Sequence, residues 1–109
     1  MPEPIPEPRL EWDPFKTDPK HFKVELENER VRVLRVCYGA HDVAVMHQHP
    51  RGLLVFLTDG NFKFNYPGGT TENFQGKSGQ CVWFDGPWEH LPENLSGKDF
   101  EALYIEIRT

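Results

Sequence analysis

Apolar and polar residues alternate with a period of two over much of the chain after residue 20. Phe62, Phe64 and Tyr66 alternate with asparagine and lysine, and the stretch 103–108 has leucine or isoleucine at every second residue. Successive side chains of a β-strand point to opposite faces, so each run predicts a strand with one apolar face, although parity alone does not say which face is inward. Further strand candidates are residues 22–26, 31–38, 53–57, 70–75 and 81–84.

Turn-forming residues separate these runs. Glycine, proline, asparagine, aspartate and serine cluster at 27–29, 58–60, 67–69 and 78–79. No segment has the apolar periodicity of an amphipathic helix beyond one short turn. Seven or more short strands at this spacing predict an all-β sandwich or barrel.

The first twenty residues have a different composition. Six of the ten prolines lie within residues 1–19. Alternating proline favours an extended polyproline II conformation, so we predict an N-terminal arm over residues 1–20 and a barrel domain over residues 21–109. Leu10, Trp12 and Phe15 could anchor the arm to the barrel, and a free tail is the alternative.

Length and charge narrow the function classes. A chain of 109 residues fits one domain, and its net charge of -5, from 17 acidic and 12 basic residues, argues against nucleic acid as a partner. The longest apolar run, residues 53–57, is too short to cross a bilayer, so no membrane partner is expected. The N-terminus lacks the cationic and apolar regions of a signal peptide, which predicts a cytoplasmic protein. Cys37 and Cys81 lie in apolar runs and are expected to be buried, reduced thiols.

Three histidines are the main chemical signal. His47 and His49 are two residues apart, so both point to one face of an extended strand and could share a metal ion. His-x-His alone is common by chance, and both rings could instead be ordinary polar side chains at a strand end. His90 is the third candidate, whereas His21 and His41 lie in turn or strand-start contexts and are expected to be exposed.

The pattern around these histidines resembles the cupin superfamily. Its first motif has His-x-His followed at a distance by glycine, as in His47, His49 and Gly60. Its second motif has glycine, histidine and asparagine at the spacing of Gly79, His90 and Asn94, and 18 residues separate the two motifs. The resemblance covers residues 31–108. It implies a single-domain cupin, a jelly-roll β-barrel with His47, His49 and His90 as metal ligands in its mouth.

The match departs from the family pattern at several positions. The glutamate that binds metal in the family would fall at Leu53, which has no ligand atom. The opening glycine, Gly39, lies two residues early, and Asp85 and Pro87 replace the proline and glycine before the last histidine. The histidine ligands therefore carry over and the carboxylate does not.

Three neutral imidazoles with open positions suit one divalent transition metal, and Fe, Zn, Ni, Cu and Mn are not distinguished by the sequence. Without the glutamate the site is one charge more positive, which favours an anionic ligand or bound hydroxide. Aromatic and aliphatic side chains near the motifs are expected to line the pocket of such a barrel. The candidates are Leu53, Phe56, Trp83, Trp88 and Tyr104.

Three functions are compatible with these features. The first is a metal-dependent enzyme acting on a small molecule, a dioxygenase or isomerase-like activity, although no general acid or base stands out. The second is a cupin that binds or senses a small ligand without chemistry. The third is an interaction role, with the chain forming a homodimer through strand edges or the arm.

Overall fold

The structure is a computed structural model that describes residues 13–108. One helical turn and nine strands follow in chain order. They are α1 (Pro14–Thr17), β1 (Phe22–Glu27), β2 (Val31–Tyr38), β3 (His47–His49), β4 (Gly52–Phe56), β5 (Gly60–Asn65), β6 (Thr71–Gly76), β7 (Cys81–Phe84), β8 (Trp88–Asn94) and β9 (Phe100–Ile107).

The strands form two antiparallel sheets. The first has five strands in the order β1-β2-β9-β4-β7, and the second has four in the order β3-β8-β5-β6. Because chain neighbours such as β4 and β5 lie in different sheets, the chain crosses between the layers and closes a jelly roll. The predicted all-β fold is confirmed.

Aromatic side chains fill the space between the sheets. Phe62 and Phe64 point inward from β5, and Phe62 lies edge-on to Phe100, with ring centroids 4.6 Å apart. Asn61, Lys63 and Asn65 of the same strand point outward, as the alternation predicts. The inner face of the five-stranded sheet contributes most of the other buried core residues, namely Phe22, Leu34, Val36, Tyr38, Leu54, Phe56, Ala102 and Tyr104, and Ala44 of the loop before β3 packs with them.

Strand β9 has large side chains on both of its faces. Its buried residues include Tyr104 and Glu106, whereas Leu103, Ile105 and Ile107 face away from the core and are only half-buried. The alternating aliphatic residues of β9 therefore lie on the outer face of the sheet, and Tyr104 faces the core. A period of two identifies the strand but not its inner face, and β9 has large side chains on both faces.

Two motif glycines have steric roles. A Cβ atom on Gly60 would lie 2.5 Å from the ring of Phe100, so only glycine allows this close approach. Gly79 has a φ of 88°, in the left-handed region that glycine adopts without strain. The glycines of the two motifs therefore shape the turns beside the core.

The last part of the predicted arm lies against the barrel. Pro14 occupies the first turn of α1, where proline is tolerated because its missing N–H would have no helical partner. Asp13 caps this turn and is buried. Residues 1–12 lie outside the described residues, so the division into arm and barrel stays a prediction.

The cysteines differ from expectation. Cys37 and Cys81 are both free, but both are exposed rather than buried. Cys37 lies at an outward position of β2, and Cys81 begins the edge strand β7. Within the described part of the chain, no helix has the length and apolarity needed to cross a membrane.

Candidate metal centre

The pairing of β3 with β8 brings the three histidines together. His47 lies directly opposite His90 in the antiparallel register, and His49 lies opposite Trp88. Since His47 and His49 are two residues apart on one strand, both rings point to the same inner face as His90. The predicted convergence of the three rings is therefore present in the fold.

The three rings are close and almost fully buried. Ring centroids are 4.6 Å apart for His47 and His49, 4.7 Å for His47 and His90, and 5.3 Å for His49 and His90. One nitrogen from each ring lies within 4.8 Å of the other two. The exposed fractions are 0%, 3% and 3% for His47, His49 and His90.

Most of the imidazole nitrogens have no hydrogen-bond partner among residues 13–108. The Nδ1 atom of His47 donates to the backbone carbonyl of Val45 at 2.6 Å, which leaves Nε2 with a free lone pair. That Nε2, the Nδ1 of His49 and both nitrogens of His90 are buried without a partner within this part of the chain. Buried polar atoms are normally hydrogen-bonded, so four such atoms in one place are compatible with a bound ligand.

Burial keeps these rings neutral. It lowers the pKa of His47 to about 4, and the hydrogen bond to Val45 opposes only part of that shift. Burial, together with the neighbouring histidines, also holds the pKa values of His49 and His90 well below the ordinary value. Neutral imidazole is the form that binds a metal ion.

Aromatic rings enclose the three histidines. His49 stacks on Trp88 at 5.1 Å and lies 4.4 Å from the ring of Tyr104. Phe64 lies 4.4 Å from His90, edge to face, and Phe22 lies 4.9 Å from His47. These rings exclude water and fix the orientations of the imidazoles.

A cavity of about 40 Å³ adjoins His49 and His90. Since roughly 10–15 Å³ accommodates one water molecule, this cavity has room for a few non-hydrogen atoms. Its walls also include Phe22, Val36, Tyr38, Leu54, Phe62, Phe64, Phe74, Trp88, Pro92, Phe100 and Tyr104. The space beside the histidines is thus small and apolar.

The five predicted pocket residues occupy three different places. Trp88 and Tyr104 line the cavity. Phe56 is buried in the core away from it, beside Phe74 and Phe100. Leu53 and Trp83 point to the outer face of the five-stranded sheet, because the inward positions of β4 are Gly52, Leu54 and Phe56.

The placement of Leu53 bears on the missing carboxylate. Leu53 faces outward, and its neighbour Leu54 lines the cavity beside His49. Neither side chain has a ligand atom. Within the described residues, the cluster able to hold a metal ion consists of the three histidines alone.

The hydroxyl of Tyr104 is not placed to act as a base. It donates to the carbonyl of Pro50 at 2.7 Å and accepts from the indole N–H of Trp88 at 3.2 Å. Burial raises the pKa of Tyr104, so the phenol keeps its proton. Tyr104 therefore positions Trp88, which in turn stacks on His49.

A second histidine group was missed by the sequence reasoning. His21, expected to be exposed, is buried, and its Nδ1 lies 2.8 Å from Asp18 while its Nε2 lies 3.1 Å from Asp42. Both nitrogens face carboxylates, so both donate when the ring is protonated. The expectation for His21 is wrong, whereas His41 is exposed as expected.

A buried arginine network was also missed. Arg32 donates from Nε and Nη2 to the carboxylate of Glu106 at 2.7 and 2.9 Å, and from Nη2 to Asp13 at 2.5 Å. Burial raises the pKa of Glu106, and Arg32 opposes that shift. The network fastens the chain before α1 to β2 and β9. One feature of the sequence points to this network. Tyr104 is a predicted pocket residue, and Glu106, two residues later on β9, has its side chain on the same face.

Comparisons with known proteins identify the fold. No model of a protein family matches the sequence, and no curated protein matches it significantly. A cupin domain from Bordetella pertussis tohama I is 24% identical, with 100% of this chain and 99% of that chain covered and a TM-score of 0.74. A cupin superfamily protein from Desulfitobacterium hafniense DCB-2 is 10% identical, with 81% of this chain and 76% of that chain covered and a TM-score of 0.60.

An enzyme of known metal content shares the same architecture. Bacillus subtilis oxalate decarboxylase, which has Mn(II) centres, is 14% identical, with 73% of this chain and 22% of that chain covered and a TM-score of 0.58. These likenesses show that the chain has the cupin fold, and the resemblance noted in the sequence is confirmed at that level.

Proposed function

We propose that the chain is a metal-binding cupin for a small molecule, with His47, His49 and His90 holding one divalent transition metal ion. The observation that carries this proposal is the group of four buried imidazole nitrogens without a partner among residues 13–108. Leaving a buried polar group unsatisfied costs about 1–3 kcal/mol. A shared metal ion would satisfy one nitrogen of each ring and offset much of that cost.

The identity of the ion is left open by the donor set. Three imidazoles suit Fe, Zn, Ni, Cu or Mn, and the cupin neighbour with Mn(II) centres adds weight to a metal of this group. Three protein ligands leave coordination positions for a substrate or water. Such an ion, when bound, supplies Lewis acidity or a site for oxygen chemistry.

The enzymatic form of the proposal is a dioxygenase or isomerase-like activity. The protein contributes fixed, neutral ligands and a small apolar cavity that excludes water next to His49 and His90. Among residues 13–108, the side chains that line the cavity include no carboxylate. Any chemistry at this site would therefore rely on the metal ion and on the substrate's own groups.

Non-catalytic binding of a small ligand is the second candidate. The specific observation in its favour is that the cavity walls contain aromatic and aliphatic side chains beside the two histidines, and the phenol of Tyr104 is engaged with Pro50. A site without a general acid or base can bind a ligand without converting it. The two candidates differ in turnover, not in metal binding.

Location and assembly complete the proposal. Two free, exposed thiols, Cys37 and Cys81, are typical of a reducing compartment, which supports the cytoplasm. A small-molecule ligand and a homodimer are proposed as partners. The five-stranded sheet ends in the edge strands β1 and β7, and uncovered strand edges favour pairing.

Metal analysis tests the first part. We expect one metal ion per chain when the protein is purified without chelators and measured by inductively coupled plasma mass spectrometry. His90→Asn should weaken metal affinity at least about 100-fold, because even the loss of an outer-sphere partner costs about 10- to 100-fold. Calorimetric titration with Mn(II), Fe(II) and Zn(II) measures the change.

His41→Asn is the matched control. His41 is exposed and has a φ of 60°, a conformation that asparagine tolerates, so this variant should bind metal like the wild type. A metal-free wild-type protein that also fails to bind added ions would overturn the proposal. Oxygen uptake or substrate loss by the metal-loaded protein then separates catalysis from binding.

A further inference from the structure

The chain segment before His47 contains a β-bulge. Val43 lies opposite Glu93 of β8, and His47 lies opposite His90, so one residue more lies on this segment than on β8 between the two pairings. The bulge adjoins β3, which is an edge strand of the four-stranded sheet. Bulges at sheet edges turn side chains and backbone groups away from the regular ladder, and they are frequent next to functional sites.

Val45 lies within this bulge, and both of its backbone polar groups bond to side chains. Its carbonyl accepts the Nδ1–H of His47 at 2.6 Å, and its N–H donates to Oδ2 of Asp18 at 3.3 Å. The residue is 49% exposed, so Val45 acts here through its backbone rather than by packing in the core. A single residue therefore connects the carboxylate of Asp18 to the ring of His47.

Asp18, directly after α1, is held through its backbone and its side chain. Its N–H donates to the carbonyl of Pro14 at 2.8 Å, and its carboxylate oxygens lie 2.9 and 2.8 Å from Nδ1 of His21. Asp18 is 4% exposed. A buried side chain with these contacts has a fixed orientation, so it holds the N–H of Val45 at a defined point.

His47 differs from the other two histidines in this support. Both ring nitrogens of His90 and the Nδ1 of His49 are without a hydrogen-bond partner among residues 13–108. The carbonyl of Val45 can only accept, so its bond selects the Nδ1–H tautomer of His47 and leaves the Nε2 lone pair for an ion. A metal-binding histidine whose other nitrogen donates to a carbonyl is both oriented and a better ligand.

We propose that Asp18 is a positioning residue for His47 and acts through the backbone of Val45. Its carboxylate fixes the bulge, and the carbonyl of the bulge fixes the tautomer and orientation of the ring. Asp18 is not a member of the cluster of residues that could hold the ion. The effect on metal affinity rests on the proposed function, whereas the arrangement of the metal-free ring does not.

Two measurements on the metal-free wild type test the two contacts. Nitrogen-15 NMR at pH 7, where His47 is neutral because burial lowers its pKa to about 4, should show the Nδ1–H tautomer. Hydrogen exchange should show a protected amide at Val45, although this residue is half-exposed. A ring that is mainly in the Nε2–H tautomer overturns the proposal, and so does a Val45 amide that exchanges as fast as in an unfolded chain.

Asp18→Ala tests the consequence for the metal site. The variant removes the acceptor of the Val45 N–H, so the second tautomer of His47 should appear in the metal-free protein. Affinity for Zn(II), measured by calorimetric titration with zinc chloride, should fall about 10-fold. This is the low end of the roughly 10- to 100-fold effect of outer-sphere partners, because Asp18 acts one residue further out.

Asp42→Ala is the matched control. Asp42 is the other carboxylate beside His21, 3.1 Å from Nε2, so its loss disturbs the same ring. Its Oδ2 accepts the N–H of Gly39 at 2.8 Å, whereas the N–H of Val45 goes to Asp18. Asp42→Ala should therefore keep the wild-type tautomer at the metal ligand and the wild-type affinity for Zn(II).

The outcomes separate positioning from a general effect on the fold, which circular dichroism monitors in each variant. An Asp18→Ala variant that folds with the wild-type tautomer and Zn(II) affinity overturns the proposal. Equal losses in Asp18→Ala and Asp42→Ala also overturn it, because the effect would then come from disturbing His21. If the wild type binds no Zn(II), or Asp18→Ala does not fold, the tautomer of His47 and the exchange of the Val45 amide in the wild type decide.

Discussion

Buried histidines occur at two places in the described structure, a cluster of three and the single residue His21, and their electrostatic surroundings differ. His47, His49 and His90 lie among aromatic rings, with four ring nitrogens lacking a partner among residues 13–108. His21, which is equally buried, has a carboxylate at each ring nitrogen. Burial alone therefore does not decide what a histidine does in this fold.

This difference in surroundings distinguishes the proposed metal site at the three histidines from a structural link at His21. At His21 each ring nitrogen has a carboxylate within hydrogen-bond distance, so the ring joins Asp18 next to α1 and Asp42 of the loop before β3 without a ligand. At the three-histidine cluster the protein provides electron pairs and no counter-charge. Under the proposed function a cation completes that arrangement, whereas nothing further is needed at His21.

The largest expected effect is on stability at the structural link. His21→Leu leaves the buried carboxylate of Asp18 without its ion-pair partner, so we expect a loss of about 3–5 kcal/mol of unfolding free energy. Urea denaturation in the presence of chelator measures it. Adding Asp18→Asn to this variant removes the unpaired charge and should restore part of the loss. A loss below about 1 kcal/mol would show that His21 is not the partner that stabilises Asp18.

A smaller effect on the free energy of unfolding is expected at the three-histidine cluster. His49→Phe removes a buried nitrogen that has no partner and keeps a ring that can stack on Trp88, so the metal-free protein should change by less than about 1 kcal/mol. The same variant should lose tight metal binding. Chelator-treated wild type is the reference in urea denaturation. A large destabilisation would mean that His49 is a structural residue like His21.

The sequence predicts a strand better than it predicts the strand's inner face. In β5 the residues between Phe62 and Phe64 are polar, so alternation identifies both the strand and its buried side. In β9 both faces have large apolar residues, because Ile105 points outward and Tyr104 points into the core. The alternation then does not tell which face of β9 is buried. The same ambiguity applies to β4 and β7, where the predicted pocket residues Leu53 and Trp83 lie on the outer face.

The candidate site shows the same division between local and long-range information. Two short motifs predict that His47, His49 and His90 converge, because their spacing places them on neighbouring strands of one barrel. His21 has no such motif: Asp18 is only three residues away, but Asp42 is 21 residues away and reaches the ring through the loop before β3. A polar residue whose partners come from distant segments looks exposed in the sequence.

The smallest effect is expected at the outer carboxylate of the structural link. The backbone N–H of Gly39 and the ring of His21 lower the pKa of Asp42 below its ordinary value of 3.8. A carboxylate with a lowered folded-state pKa stabilises the fold above its unfolded value and loses that contribution as the pH falls through the folded value. Asp42→Asn should therefore be less stable than wild type at neutral pH, with the difference shrinking as the pH falls below 3.8.

Thermal or urea unfolding of both proteins across this range tests the prediction. Asp85→Asn, at an exposed position, should follow the wild-type curve throughout. A difference between Asp42→Asn and wild type that stays constant with pH would mean that the carboxylate acts through its shape rather than its charge. In that case the structural link at His21 depends on the contact with Asp18 alone. His21 then differs from the three-histidine cluster by one charged contact instead of two.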